Sequence, residues 1–257
     1  MNVQALKEFF LSLDPQNIVL FTLITALLCL AWIFLCLRLD RESPEPKEQI
    51  VRIFFWGGLM VFPALFIAGP ITVFINKFTF LSSLAQILIL SFLVDGLIEE
   101  FIKFSIISEK VYRKPFFDEP RDGLIYGMIL GIGFSFLESF FYSLTLVGEQ
   151  HAFLIILMRG LMTTFMHLLA GGIIGYHFGL AKFAHFYRHK LATKGYQRML
   201  VWRGLILAIC FHALYNLVIR FNYVWLMIPL AVLLIGVYIS IILGLRKTQT
   251  LFKSNAL

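Results

Sequence analysis

Seven long apolar runs, separated by short charged loops, divide the chain: Ile18–Leu37, Phe54–Ile75, Phe80–Ile107, Gly123–Val147, Phe153–Leu180, Met199–Ile219 and Val224–Leu245. Each is near or above the roughly 20 residues that a helix needs to cross a hydrocarbon core. Positive charge alternates between the loops. Arg38, Arg41, Lys47 and Arg52 follow the first run, Lys110, Arg113, Lys114 and Arg121 the third, and Lys182, Arg188, Lys190, Lys194 and Arg198 the fifth. The end of the chain carries Arg246, Lys247 and Lys253, whereas the intervening loops hold little beyond Lys77. Basic loops stay cytoplasmic, so the pattern predicts an N-terminus outside and a C-terminus in the cytoplasm. The expectation is an all-α polytopic membrane protein of about seven transmembrane helices. It comprises an amphipathic segment over 1–17 (a surface helix over Val3–Leu13), one bundle over 18–245 and a basic cytoplasmic tail over 246–257. Ser43-Pro-Glu-Pro46 marks an irregular loop, and Pro63 and Pro70 are expected to kink the second span. There is no internal repeat and no separate soluble domain.

Composition removes the competing classes. The 257 residues are 60% hydrophobic and only 14% charged, with a mean hydropathy of +0.85. A soluble domain is roughly half apolar and about a quarter charged. The formal net charge of +7 sits in membrane-flanking loops, which excludes a nucleic-acid partner and leaves the bilayer as the charged surface to be met. Cys29, Cys36 and Cys210 lie in apolar runs without metal-type spacing and read as small buried hydrophobes. Lys7, Glu8 and Asp14, with no A-x-A-like site before the first run, make a cleaved signal peptide unexpected.

Against this background the polar residues inside the spans stand out. Glu99 and Glu100 are adjacent carboxylates in the third run, and one such group near the bilayer centre costs roughly 2.5–3.5 kcal/mol. Lys103 follows at three and four residues, so either carboxylate can meet it along one helical face. Glu138 lies in the fourth run, Arg159 and His167 in the fifth, and His212 and Asn216, four apart, in the sixth. At the helical rise of 1.5 Å, Glu99 falls ~12 Å from the cytoplasmic end of its span, and His167, His212 and Glu138 ~20–22 Å from theirs. These depths overlap within a core of about 30 Å, with tilt or a broken helix needed to bring Glu138 level. Carboxylates and imidazoles converging in a dry bundle suit hydrolysis by an activated water, with or without zinc. They also suit interhelical hydrogen-bonding glue, a structural ion pair, a proton relay or a transporter. Spacing alone leaves those alternatives open.

The motifs narrow them. Glu99-Glu100-x-x-Lys103 resembles the first motif of the PrsW family of bacterial intramembrane proteases. Asp122-Gly-Leu-Ile-Tyr-Gly127, running into Gly133-Phe-Ser-Phe-Leu-Glu138, is similar to that family's second signature. Arg159 through His167 to the glycine-rich stretch ending at Lys182 resembles the third, and Phe211-His212-Ala-Leu-Tyr-Asn216 the last. The blocks occur in family order over about residues 91–216, roughly half the chain.

The resemblance implies a member of the CAAX prenyl-endopeptidase-like clan, in the bacterial cytoplasmic (inner) membrane. Its substrate would be a membrane-anchored protein, the family's type being an anti-sigma factor cut in site-1-type regulated proteolysis. Carried over by position, Glu99, Glu100, His167 and His212 are the catalytic candidates. Lys103, Glu138, Arg159 and Asn216 are supporting ones. The resemblance leaves two chemistries open. Zinc or another divalent ion would be held by Glu138, His167 and His212, or a buried glutamate would act as general base without a cofactor. Ser139 and Asn216 stand where family members often carry Asn and Asp. A non-catalytic scaffold or chaperone of the same fold is the alternative, and a transporter is disfavoured for want of paired broken-helix repeats. Arg159 is expected to snorkel or pair at the outer end of its span, with pairing into the site as the other option. His185 and His189 form a basic interfacial face, and His151 and His177 are structural. Gly171, Gly172, Gly175 and Gly179 are spaced for close helix packing that positions His167.

Overall fold

The computed structural model describes residues 15–40, 43–78, 80–146, 149–188 and 192–256. Every regular element among them is helical. The surface helix expected over Val3–Leu13, Val147 at the end of the fourth span, and His189 lie outside the described residues. Six stretches are long and apolar enough to cross a membrane: Pro15–Leu37, Lys47–Asn76, Pro120–Leu144, Ala152–Lys182, Lys194–Phe221 and Met227–Ser254. The remaining expected span, Phe80–Ile107, is helical from Ser83 to Val111 but in consecutive shorter pieces. It is therefore not one uninterrupted apolar helix.

In chain order, α1 is Pro15–Leu37, α2 Lys47–Leu59 and α3 Val61–Asn76. The break between α2 and α3 falls at Met60, because Pro63 has no N–H to donate one turn back. Pro70, by contrast, sits inside α3 without ending it. Next come α4 (Ser83–Ile89), a π-helical segment (Leu90–Ile98), α5 (Glu99–Ile106) and a π-helical turn (Ile107–Val111). Ser82 starts α4 by accepting from Ala85 N at 3.2 Å. Helix α6 (Pro120–Leu144) begins abruptly at Pro120, where Asp122 accepts from the backbone N–H groups of Asp118 and Glu119 at 2.8 and 2.6 Å. Then follow α7 (Ala152–Met158), a π-helical turn (Arg159–Thr163), α8 (Thr164–Lys182), α9 (Ala184–Arg188), α10 (Lys194–Phe221) and α11 (Met227–Ala256). Asn222, in the left-handed region at φ 55°, closes α10. The segment expected as a basic tail continues α11 to Ala256.

Polarity is arranged as lipid demands. Phe66, Ile228 and Leu27 are 82, 72 and 67% exposed, whereas Glu100 and Lys103 are fully buried. Helix α6 is the axis: its most apolar window is 72% buried, against 17% for α1. Its glycines let it lie backbone to backbone against α8. A Cβ on Gly123, Gly127 or Gly131 would collide with the carbonyl oxygens of Gly175, Gly171 and His167. The glycine run of α8 thus packs closely, as its spacing predicts, and its partner is the Gly123–Gly127–Gly131 row of α6. Gly133 and Gly57 serve the same purpose between α6 and α2. The contact at Gly131 fixes how far His167 stands from α6. Cys29 and Cys36 are buried as expected, but Cys210 is exposed on the outer face of α10, where a thiol meets lipid at little cost.

Candidate functional site

Four elements converge on one polar cluster: α5 supplies Glu99, Glu100 and Lys103, α6 Glu138, α8 His167, and α10 His212 and Asn216. Two π-helical stretches precede them directly, Leu90–Ile98 before Glu99 and Arg159–Thr163 shortly before His167. Wide turns of this kind re-aim the residues that follow and are common at functional sites. The first packs against α10 at Gly96, where a Cβ would approach Ile209 O to 2.9 Å. The second is tied across the bundle by a Thr163–Tyr215 hydroxyl contact of 2.9 Å, with Thr164 bonded to Ser135 at 2.9 Å.

Glu100 and Glu99 have different surroundings. Lys103 Nζ donates to Glu100 Oε1 at 2.6 Å, and the same oxygen accepts from His212 Nδ1 at 2.6 Å. The structure thus answers which carboxylate meets the lysine. Because Glu100 is an acceptor, the His212 proton is assigned to Nδ1, and Asn216 Nδ2 donates to Nε2 at 3.0 Å. Lys103 also donates to His167 Nδ1 at 2.8 Å, which leaves Nε2–H to bond Glu138 Oε2 at 3.0 Å. The Lys103 ammonium sits 4.5 Å from the centre of the Phe134 ring, and the two imidazoles meet edge to face at 4.9 Å. Glu99 makes none of these contacts. Its Oε2 is buried with no hydrogen-bond partner and lies 4.0 Å from His212 Nε2. Glu100 Oε2 is likewise unpartnered, although its other oxygen is doubly engaged.

Arg159 departs from the expectation of an outer, snorkelling role. Its Nη2 lies 2.9 Å from Glu138 Oε2, an ion pair not aligned as a hydrogen bond, and its guanidinium covers the Tyr142 ring at 4.3 Å. The partly buried Glu138 carboxylate gives the Arg159 guanidinium its counter-charge inside the bundle. Ser139 is buried with an unpartnered hydroxyl. His177 donates from Nδ1 to Ile173 O, 2.8 Å away, with Gly204 against its Cβ. That is the structural role expected of it, and His185 stacks on Phe186 at 4.1 Å, away from the cluster. Sequence reasoning missed the ion pair between Asp95 and Arg220, at 2.7 Å, which ties the π-helical segment to the end of α10. Two charges in otherwise apolar runs were the available signal.

The donor set fits a divalent metal ion. Glu99, His167 and His212 each offer a ligand atom within 4.8 Å of the others, a carboxylate and two imidazoles as in zinc hydrolases. Glu138 stands one step out, bonded to the far side of His167. For the imidazoles to turn to a metal, Lys103 or Glu138 must release His167, and Asn216 must release His212.

Comparison with known proteins places the chain in a family. Residues 45–243 match the family described as "PrsW family intramembrane metalloprotease". The chain is 30% identical over 220 residues to Protease PrsW of Bacillus subtilis, covering 82% of this chain and 85% of that one. It is 32% identical over 177 residues to Protease PrsW of Geobacillus kaustophilus, 69% of each chain. With the protein of that name from Oceanobacillus iheyensis it shares 31% over 195 residues, 76% of this chain and 79% of the other. No solved structure is a significant match.

Proposed function

Because this chain belongs to the PrsW family of intramembrane metalloproteases, we propose that it cleaves a membrane-anchored protein inside the bilayer with a water held between Glu99 and His212. Glu99 carries the assignment. Its buried Oε2 has no hydrogen-bond partner and lies 4.0 Å from His212 Nε2, a separation that one water can span once Asn216 releases that nitrogen.

In this scheme Glu100 is a structural carboxylate. It holds Lys103 and fixes the His212 tautomer, so that Nε2 rather than Nδ1 faces the gap. Glu138 and Lys103 hold His167 in the same way from either side. Glu99 takes a proton from the water as its oxygen attacks the scissile carbonyl carbon. The proton then passes to the departing amide nitrogen as the C–N bond breaks. Asn216 Nδ2–H, now on His212, turns to the tetrahedral oxyanion. A divalent ion held by Glu99, His167 and His212 would instead supply Lewis-acid polarisation of the carbonyl and a more acidic water, in place of general-base action by Glu99.

The helical stretch Ser83–Val111 counts as a seventh span in this proposal, with the N-terminus outside and the C-terminus in the cytoplasm of a bacterial inner membrane. The basic loops support that orientation. An anti-sigma factor with a single span is the substrate class favoured by the family. Purified protein reconstituted in vesicles with such a substrate is expected to yield two fragments whose new ends map to the span or its edge. Intact substrate beside demonstrably folded protein would contradict the proposal.

A further inference from the structure

Away from the site, two cavities adjoin at the end of the bundle formed by the C-terminus of α1, the start of α6 and the last turns of α11. The first, about 510 Å³, is lined by Arg38, Arg121, Arg246 and Lys253 with Gln249 among them. The second, about 310 Å³, is apolar and lined by Trp32, Cys36, Met128, Phe165 and Tyr238. Arg38 and Leu39 belong to both walls, so the basic cavity lies directly against the apolar one. Trp32 precedes Arg38 by six residues and Tyr238 precedes Arg246 by eight, about 9 and 12 Å of helix. The apolar part therefore runs along the membrane normal, beneath the charges.

The charges are placed rather than scattered. Arg246, Gln249 and Lys253 follow one another at three and four residues along α11 and so share a face. Arg121 is buried and donates to Leu39 O at 3.3 Å. Glu119 is the neighbouring carboxylate, 3.9 Å from Arg121 and bonded to Gln249 Nε2. No acidic side chain lines the basic cavity among the described residues. Gln249 Oε1 is buried without a hydrogen-bond partner, an acceptor in want of a donor.

We propose that this compound cavity binds one anionic phospholipid, its phosphate among Arg38, Arg121, Arg246 and Lys253, a headgroup hydroxyl at Gln249 and an acyl chain against Trp32 and Tyr238. An amphiphile is what a basic cavity against an apolar shaft recognises. A free phosphate would leave the shaft empty, and a zwitterionic lipid would bring no net charge to Arg38 and Arg246. Phosphatidylglycerol has both the anionic phosphodiester and the hydroxyls. Phe165 and Leu168, which flank His167 in sequence, line the shaft, so the lipid would lie against the helix that carries the site's imidazole.

Trp32 makes the site observable. The full chain is reconstituted in phosphatidylcholine bilayers with a minority of lipid brominated on its acyl chains, either phosphatidylglycerol or phosphatidylcholine. The quenching due to Trp32 is taken as the difference from Trp32→Phe. Brominated phosphatidylglycerol is expected to quench Trp32 at several-fold lower mole fraction than brominated phosphatidylcholine. Arg246→Gln with Lys253→Gln is expected to lower that preference on the order of tenfold, and Arg38→Gln to lower it independently. Unchanged emission from Trp56, Trp202 and Trp225 certifies the fold of each variant. Equal quenching by the two lipids, or a preference that survives the double substitution, overturns the proposal. Loss of the preference on adding millimolar inorganic phosphate would assign the basic cavity to a free anion and overturn it as well.

Discussion

Glu99 and Glu100 share a peptide bond, yet Glu100 is bonded to a lysine and a histidine while Glu99 Oε2 has no hydrogen-bond partner. That difference separates structural from chemical duty. Removing the charge of Glu100 leaves Lys103 buried without its carboxylate, and breaking a buried pair from one side costs about 3–5 kcal/mol. Glu100→Gln is therefore expected to unfold at markedly lower temperature in detergent. Pairing it with Lys103→Met is expected to recover much of the loss, because both charges then disappear together. The metal reading belongs to this scale too. Chelator-treated protein is expected to take up one equivalent of zinc, and His167→Ala and His212→Ala to take up none, as read by calorimetry. Uptake unchanged in both variants would remove these imidazoles from the ligand set. Much of this was legible in sequence, because ionisable groups in apolar runs are too costly to be incidental. Which glutamate meets the lysine was not, since three- and four-residue spacings serve equally well on a regular helix.

The elements explain how groups from four helices reach one depth. Periodicity marks an apolar run but says nothing of π-helical turns, which arise from a local change of hydrogen-bond register rather than from residue type. The pieces Leu90–Ile98 and Arg159–Thr163 were therefore beyond the sequence. So was the inward turn of Arg159, which depends on where Glu138 ends up. The glycine run of α8 was readable; its partner row on α6 emerges only once the two helices are laid together. Gly131 is the sharpest test of that contact, because any Cβ there meets the carbonyl of His167. Gly131→Ala is expected to cost about 1–3 kcal/mol through overpacking. It is also expected to lower cleavage more than Gly58→Ala, whose Cβ would stand 3.4 Å from Gly133 O. Equal activity of the two variants would detach His167 placement from this approach. The Asp95–Arg220 pair, with Arg220 over a third exposed, is a weaker strut. Arg220→Gln is expected to change stability by no more than about 1 kcal/mol.

At the scale of the molecule, the exposed phenylalanines and leucines and the buried carboxylates describe a bundle that carries a small hydrolytic site into lipid. Composition and loop charge made the class legible. The unbroken third span was not found, because π-helical segments interrupt its α-helix. Orientation is tested by single cysteines in a background lacking the native three. Glu149→Cys is expected to react with an impermeant maleimide on intact cells, and Ser43→Cys only after permeabilisation. The reverse pattern would invert the topology. The account turns, finally, on the water beside Glu99. Single-turnover cleavage of a reconstituted single-span substrate by Glu99→Gln, compared with wild-type protein of equal melting temperature, measures it directly. A rate reduced about 10²–10⁴-fold is predicted for loss of a general base, and a wild-type rate would contradict the assignment.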